Sequence, residues 1–242
     1  MSERSDRQTR IDRDGFILLP AVFSSAALDT LRTSLSASLV GDADSILRSE
    51  TGSVFGARNL LRDWPPARDV WRCPPLEVVL AEILGPAFGL VRVLYFDKPP
   101  DRSWSLPWHK DLTMAVRDNG LPSTEFTHPT RKAGVPHVEA PTALLESMLT
   151  ARIHLDEVTD ENGPLKVIPG SHATGKKLAL GETVPHTILA AAGDVLLMRP
   201  LLAHSSGNSR PETRRHRRIL HLEFAAEERL PDGYAWHDFI AS

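Results

Sequence analysis

The chain has 242 residues, of which 41% are hydrophobic, with a formal charge of −3 and one cysteine, Cys73. That is enough apolar material for a sizeable core in one large domain. A disulfide framework and a thiolate metal cluster are excluded, and the balanced charge gives no general attraction to nucleic acid or an anionic membrane. The polar start, "MSERSDRQTRIDRDG", is unlike a signal peptide, and no apolar run is long enough to span a bilayer, so a cytoplasmic protein is expected. Ten histidines are the compositional oddity.

In chain order, residues 1–13 are expected to form a flexible arm, and residues 14–242 one domain. "DGFILLPAVF" predicts a short buried strand closed by Pro20. "SSAALDTLRTSLSASL", 24–39, predicts a helix: a serine stands at the N-cap, and Ala27, Leu28, Leu31, Leu35 and Leu39 recur at helical spacing. "PPLEVVLAEILG", 74–85, repeats the pattern between prolines at its start and Gly85 at its stop. Beyond Gly89 the chain changes to short β-rich pieces: "LVRVLYFDK", "WSLPWHKDLTMAV", "MLTARIHLDEV", "LKVIPGSH", "TILAAAGDVLLMRPLLAHSS" and "RRILHLEFAA". With few helices between them, they predict an antiparallel sandwich or barrel with helices packed on it, rather than βαβ units. The stretch 117–147, rich in proline and threonine and weakly periodic, is expected to be a long loop and a candidate lid.

In "PWHKDLTMAV", His109 and Asp111 stand two apart, and alternate residues of a strand project to one face. His204, where polar residues resume after the buried run "GDVLLMRPLLA", offers a third ligand. Two imidazoles and a carboxylate on one face form the facial triad of non-haem Fe(II) oxygenases, with coordination positions left open. Zinc, or no metal, remains an alternative at this point. Open positions could take a dianionic co-substrate such as 2-oxoglutarate, whose far carboxylate needs a fixed arginine fork. Ser206 could add a hydroxyl donor. In "HRRILHLEF", 216–224, Leu220, Leu222 and Phe224 read as core, so Arg217 and His221 face the other way and Arg217 is preferred to Arg218.

Four segments in this order resemble the phytanoyl-CoA dioxygenase family of Fe(II)/2-oxoglutarate-dependent oxygenases: "DKPPDRSWSLPWHKD", "RIHLDEVTDENGPLKVIPGSH", "GDVLLMRPLLAHSSGNS" and "RRILHLEF". The similarity extends back to "RDGFILLPAVFSSAALDTLR". It implies a double-stranded β-helix, a cupin-like jelly roll with helices against one sheet. It gives His109, Asp111 and His204 the metal positions, Arg217 and Ser206 the far carboxylate of 2-oxoglutarate, and Arg152 and Leu94 positions lining the co-substrate pocket. Fe(II), 2-oxoglutarate and O2 are the implied cofactors. The implied reaction is hydroxylation of an unactivated C–H bond of a small molecule, with release of succinate and CO2. Related halogenases have a small residue where Asp111 stands, so no halogen transfer is expected. Two departures are Lys110, where the family commonly has glutamine, and a slightly longer segment between His204 and Arg217.

Arg58, Asn59, Trp104, Trp108 and His137 are candidate substrate contacts. His172 and the other histidines read as structural. "RPETRRHRR", 210–218, reads as a solvated turn into a strand rather than a nucleic-acid patch, since no stacking aromatics are interleaved. The rivals to an oxygenase are a non-catalytic metal-binding jelly roll acting as a sensor, and a zinc hydrolase or isomerase using the same triad.

Overall fold

The computed structural model describes residues 5–41 and 43–242, and they form a mainly β fold with antiparallel sheets. The first element is α1 (Asp6–Asp14), capped by Ser5, whose hydroxyl accepts from the Gln8 N–H at 3.1 Å. Where the sequence reading expects a flexible arm, residues 6–14 are helical and anchored by Ile11, which is fully buried, while residues 1–4 lie outside the described residues. With one apolar residue in a charged helix, no hydrophobic period announces it. Gly15 ends α1 at φ +83°, where a β-carbon would collide with His172 and Leu202.

Next come β1 (Phe16–Leu19), α2 (Ser25–Ser38), β2 (Ile46–Arg48), β3 (Val54–Ala57), α3 (Leu60–Asp63), α4 (Pro74–Leu84) and β4 (Gly89–Phe96). Both predicted helices form. Ser24 caps α2 by accepting from the Ala27 N–H, and α4 starts on Pro74 and stops at Gly85. The chain then gives β5 (Leu106–His109), β6 (Thr113–Ala115), β7 (Thr127–Lys132), β8 (Val135–Glu139), α5 (Thr142–Glu146) and β9 (Met148–His154). The remaining strands are β10 (Leu165–Val167), β11 (His186–Ile188), β12 (Val195–Met198), β13 (His204–Ser206), β14 (Ile219–Ala225) and β15 (Ile240–Ala241). No described helix is long and apolar enough to cross a membrane.

One sheet runs β1-β12-β9-β14-β4-β3-β2, with β15 also on β4; a second runs β11-β10-β13-β5; a third is β6-β8-β7. The third sheet changes the reading of 117–147. That stretch contains the β7–β8 hairpin and α5 rather than one long loop. Its strand β7, "THPTRK", is polar and largely exposed, so it lacks the alternation that marks a half-buried strand.

Alternation in the central strands divides the large sheet into two faces. Val93 and Tyr95 of β4, Ala151 and Ile153 of β9, and Leu220, Leu222 and Phe224 of β14 join the helices in the main core. Trp71, Phe88 and Phe224 meet there edge to face, with ring centres 5.3–6.0 Å apart. Burying each such side chain stabilises the fold by about 1.5–3 kcal/mol. On the opposite face of the same strands, Arg92, Leu94, Phe96, Arg152, His221 and Glu223 line a cavity closed by residues of the two smaller sheets.

Candidate active site

His109 is the last residue of β5 and His204 the first of β13, and the two are paired across these strands. Sequence alone puts His204 at the end of one long strand; instead β12 stops at Met198 and a turn delivers His204 to the other sheet. Asp111 likewise lies beyond β5, not in it. Its backbone N–H donates to the Pro200 carbonyl at 2.9 Å, so an irregular segment rather than strand parity brings it to the cavity. His109 Nδ1 sits 2.7 Å from the Pro107 carbonyl and His204 Nδ1 2.9 Å from the Leu202 carbonyl. A carbonyl only accepts, so each Nδ1 carries the proton and each Nε2 presents a lone pair.

Those Nε2 atoms lie 4.0 and 3.6 Å from the Asp111 carboxylate, and one ligand atom from each of the three residues lies within 4.8 Å of the others. Asp111 Oδ2 is buried without a hydrogen-bond partner. An orphaned carboxylate oxygen between two imidazole lone pairs fits a divalent cation, and this donor set is that of the iron facial triad. Burial pushes His204 down to about 4, keeping it neutral and able to ligate. Burial works against charge on Asp111, but His204, His221, His109 and Arg152 together hold its carboxyl below the ordinary value.

A cationic end adjoins this triad. Arg217, just before β14, is 2% exposed; its Nη1 donates to the Gly163 carbonyl at 2.7 Å, and its Nε has no partner. Arg218 points the other way into a two-pronged bond with Asp156 at 2.7 and 2.8 Å. Lys98, just past β4, is fully buried. Its Nζ donates to Ser206 Oγ at 3.2 Å, to the Gly163 carbonyl at 3.3 Å and to the Gly207 carbonyl. Trp104 covers both side chains, 4.8 Å from Lys98 Nζ and 5.7 Å from the Arg217 guanidinium.

Arg152 Nη1 stands 3.1 Å from His221 Nδ1, and Arg152 makes no direct ion pair among the described residues, although Asp111 attracts it. Burial pushes Arg152 to about 10; burial and repulsion from Arg152 push Arg217 to about 9; burial and both arginines push Lys98 to about 6. Buried cations without a direct ion pair are costly, and an anionic ligand relieves that cost.

Of the residues named from sequence, His109, Asp111, His204, Arg217, Ser206, Arg152, Leu94, Arg58 and Trp104 all line the one cavity. Trp108, Asn59 and His137 lie outside its wall. Asn59, at φ +59°, instead donates to the Ala133 carbonyl at 3.0 Å, and His137 is buried with Nδ1 on the Val135 carbonyl. Lys110 turns away from the metal positions and donates to Ser171 O, Thr174 Oγ1 and Gly175 O at 2.6–2.9 Å, so it braces the 171–175 turn. His172 Nε2 bonds the Asp12 carbonyl, a structural contact.

Sequence reasoning passed over Lys98, Arg92, Lys132, His221 and Glu223 as site residues. Four of them were within reach of period 2: Arg92 and Lys98 share the parity of Leu94, and His221 and Glu223 that of Arg217. Lys132 ends a strand that the sequence does not announce.

The family model described as "Phytanoyl-CoA dioxygenase (PhyH)" matches residues 11–217. L-proline trans-4-hydroxylase of Streptomyces griseoviridis is 30% identical over 175 residues, which are 70% of this chain and 56% of that protein. The chain thus spans about half the length of this curated relative. Among solved structures, EctD from S. alaskensis with bound Fe matches at a TM-score of 0.70 and 22% identity, over 91% of this chain and 76% of that one. The non-heme alpha ketoglutarate dependent carbocyclase SnoK, from nogalamycin biosynthesis, matches at 0.68 and 15%, over 94% and 85%. At these identities the two structures show a shared fold.

Proposed function

The chain belongs to the phytanoyl-CoA dioxygenase family, and from that membership and the cavity we propose that it is an Fe(II)- and 2-oxoglutarate-dependent oxygenase hydroxylating a small-molecule metabolite. The reading includes a jelly-roll barrel as the catalytic unit over residues 14–242, working in the cytoplasm. The observation that carries it is the meeting, in one cavity, of an orphaned carboxylate oxygen between two imidazoles and a buried cationic end that makes no direct ion pair among the described residues. A relative named as a proline hydroxylase supports hydroxylation of a small molecule.

His109, Asp111 and His204 are the residues that would hold Fe(II). Arg217 and Ser206 would hold the far carboxylate of 2-oxoglutarate, and Arg152 adds positive charge for its dianion. Iron and this co-substrate supply O2 activation, coupled to decarboxylation to succinate and CO2. Lys98 keeps Ser206 and the Gly163 and Gly207 carbonyls in place, so the Arg217 guanidinium is fixed before a ligand arrives. Trp104 and Leu94 close the wall and exclude water, which strengthens charge interactions inside. The β7–β8 hairpin is the proposed lid.

The test is succinate formation after anaerobic reconstitution with Fe(II), followed by admission of O2. Succinate appears in wild type and drops at least ~1,000-fold in Asp111→Ala. Normal turnover in that variant would refute the ligand assignment. Conversion of a substrate with zinc in place of Fe(II), without succinate formation, would identify a hydrolase or isomerase instead.

A further inference from the structure

The cavity has a second cationic end, away from Arg217. Pairing of β4 with β14 sets the order along the cavity floor: Ile219 opposite Phe96, His221 opposite Leu94, Glu223 opposite Arg92. Arg217 and Lys98 lie at the start of this ladder, and Arg92 and Glu223 six residues further on, roughly 20 Å along the strand at 3.3 Å per residue. His221, in the middle, is one of the groups that hold down Asp111, so the triad faces the centre of the ladder. Lys132, Arg58 and Thr113 complete the far end and line the same cavity.

The local backbone sets two of these cations side by side. Arg58 follows β3 and precedes Asn59, and Lys132 ends β7 just before Ala133. Both following residues are non-glycines in the left-handed region, at φ +59° and +48°, and the Asn59 amide bonds the Ala133 carbonyl. Such outliers cost about 1–3 kcal/mol each and persist where the surroundings demand them. Here they tie the Arg58 corner to the hairpin turn behind Lys132.

Positive charge outnumbers negative charge at the far end. Arg58, Arg92 and Lys132 bring three positive charges, and Glu223 one negative, leaving an excess of two. Glu223 is engaged by Arg92 at 3.2 Å and approached by His221 at 3.5 Å. Lys132 has the Thr113 hydroxyl at 2.8 Å, and the Arg58 guanidinium has neither hydrogen bond nor ion pair among the described residues. Burial lowers both Arg58 and Lys132, Arg92 repels both, and Arg58 repels Lys132; Glu223 and Asp111 attract Lys132 but offset this only in part, as expected where cations facing one space outnumber the anions.

We propose that the primary substrate is a carboxylate, held by the Arg58 fork and the Lys132 ammonium with its oxidisable carbon toward the triad. The inference rests on the oxygenase reading and supplies its substrate class. An unpaired arginine fork matches the two oxygens of a carboxylate, the lysine adds a point charge, and the Arg92–Glu223 pair closes the wall. Neutral molecules would leave both cations desolvated and unpaired, and so are rejected by the far end.

The test is anaerobic calorimetry on protein loaded with Fe(II) and saturating 2-oxoglutarate, so that the Arg217 end is filled. The probes are hexanoate, benzoate and N-acetylalanine, each with its methyl ester, and phenyl phosphate. At least one acid binds at least ~10-fold tighter than its ester. The double variant Arg58→Gln/Lys132→Gln loses that preference while its 2-oxoglutarate affinity stays within about twofold of wild type. Binding of acids and esters alike, of no acid, or of phenyl phosphate alone overturns the proposal. So does an acid preference that survives in the double variant. If wild type takes up no 2-oxoglutarate, the oxygenase reading itself has failed, and the two failures are distinguishable.

Discussion

The two faces of the large sheet are made by alternate residues of the same strands, yet they do opposite things. Toward the helices, Leu220, Leu222 and Phe224 are fully buried among apolar neighbours. One residue out of step, His221 and Glu223 of the same strand are also buried, but in a cavity with Arg92, Arg152 and Arg217. The first face stabilises the fold; the second holds charge away from water at a cost of several kcal/mol per ion before pairing. Stability and the proposed chemistry are thus separated by strand parity, and each face can be changed without the other.

Breaking the helix face has the largest expected effect on stability. Phe224→Ala costs about 3–5 kcal/mol in denaturant unfolding, through a cavity beside Trp71 and Phe88. A loss below about 1 kcal/mol would show that this face does not carry the core.

Acid should act on the buried histidines next. His137 and His154 are held near 4 chiefly by burial, against an ordinary value of 6.5. The unfolded chain therefore binds more protons than the folded one between those values. Stability of the metal-free protein is highest above pH 6.5 and falls as pH drops toward 4, these two histidines contributing about 3 kcal/mol of the loss between pH 6.5 and 5 and His204, also held near 4, adding to it. Thermal or urea unfolding across this range checks it, and a flat profile contradicts it.

The cavity face gives the reverse of the Phe224 result. Arg217→Met leaves metal-free stability unchanged or raises it by about 1 kcal/mol, because a desolvated cation is removed. The same change weakens 2-oxoglutarate binding at least ~10-fold, an effect of about 1.4 kcal/mol or more. Arg218→Ala, one residue away on the other parity, removes a partly exposed pair with Asp156. It costs under about 1 kcal/mol of stability and leaves 2-oxoglutarate affinity unaltered. Equal effects of the two arginines on binding would erase the distinction between the faces.

The helices α2 and α4 were legible because caps, stops and apolar period agree in one segment. Parity in "HRRILHLEF" prefers Arg217 to Arg218, and Arg217 is the one that lines the cavity. What escaped the sequence depends on long-range pairing. The β7–β8 hairpin is polar on its exposed strand and carries no period, α1 buries Ile11 as its one apolar anchor, and Asp111 reaches the cavity from an irregular segment anchored on Pro200. Lys98 was hidden for another reason: a lysine before two prolines reads as a surface turn until the Gly163 and Gly207 carbonyls are seen around it.

The central claim is that one cavity binds a divalent iron at His109, Asp111 and His204 and 2-oxoglutarate at the Arg217 end. Anaerobic equilibrium binding of 2-oxoglutarate, with and without Fe(II), tests it most directly. The account predicts saturable one-to-one binding that tightens with Fe(II), loses its iron dependence in Asp111→Ala and weakens in Arg217→Met. Wild-type protein that binds no 2-oxoglutarate, or binds it equally well without iron, would contradict it.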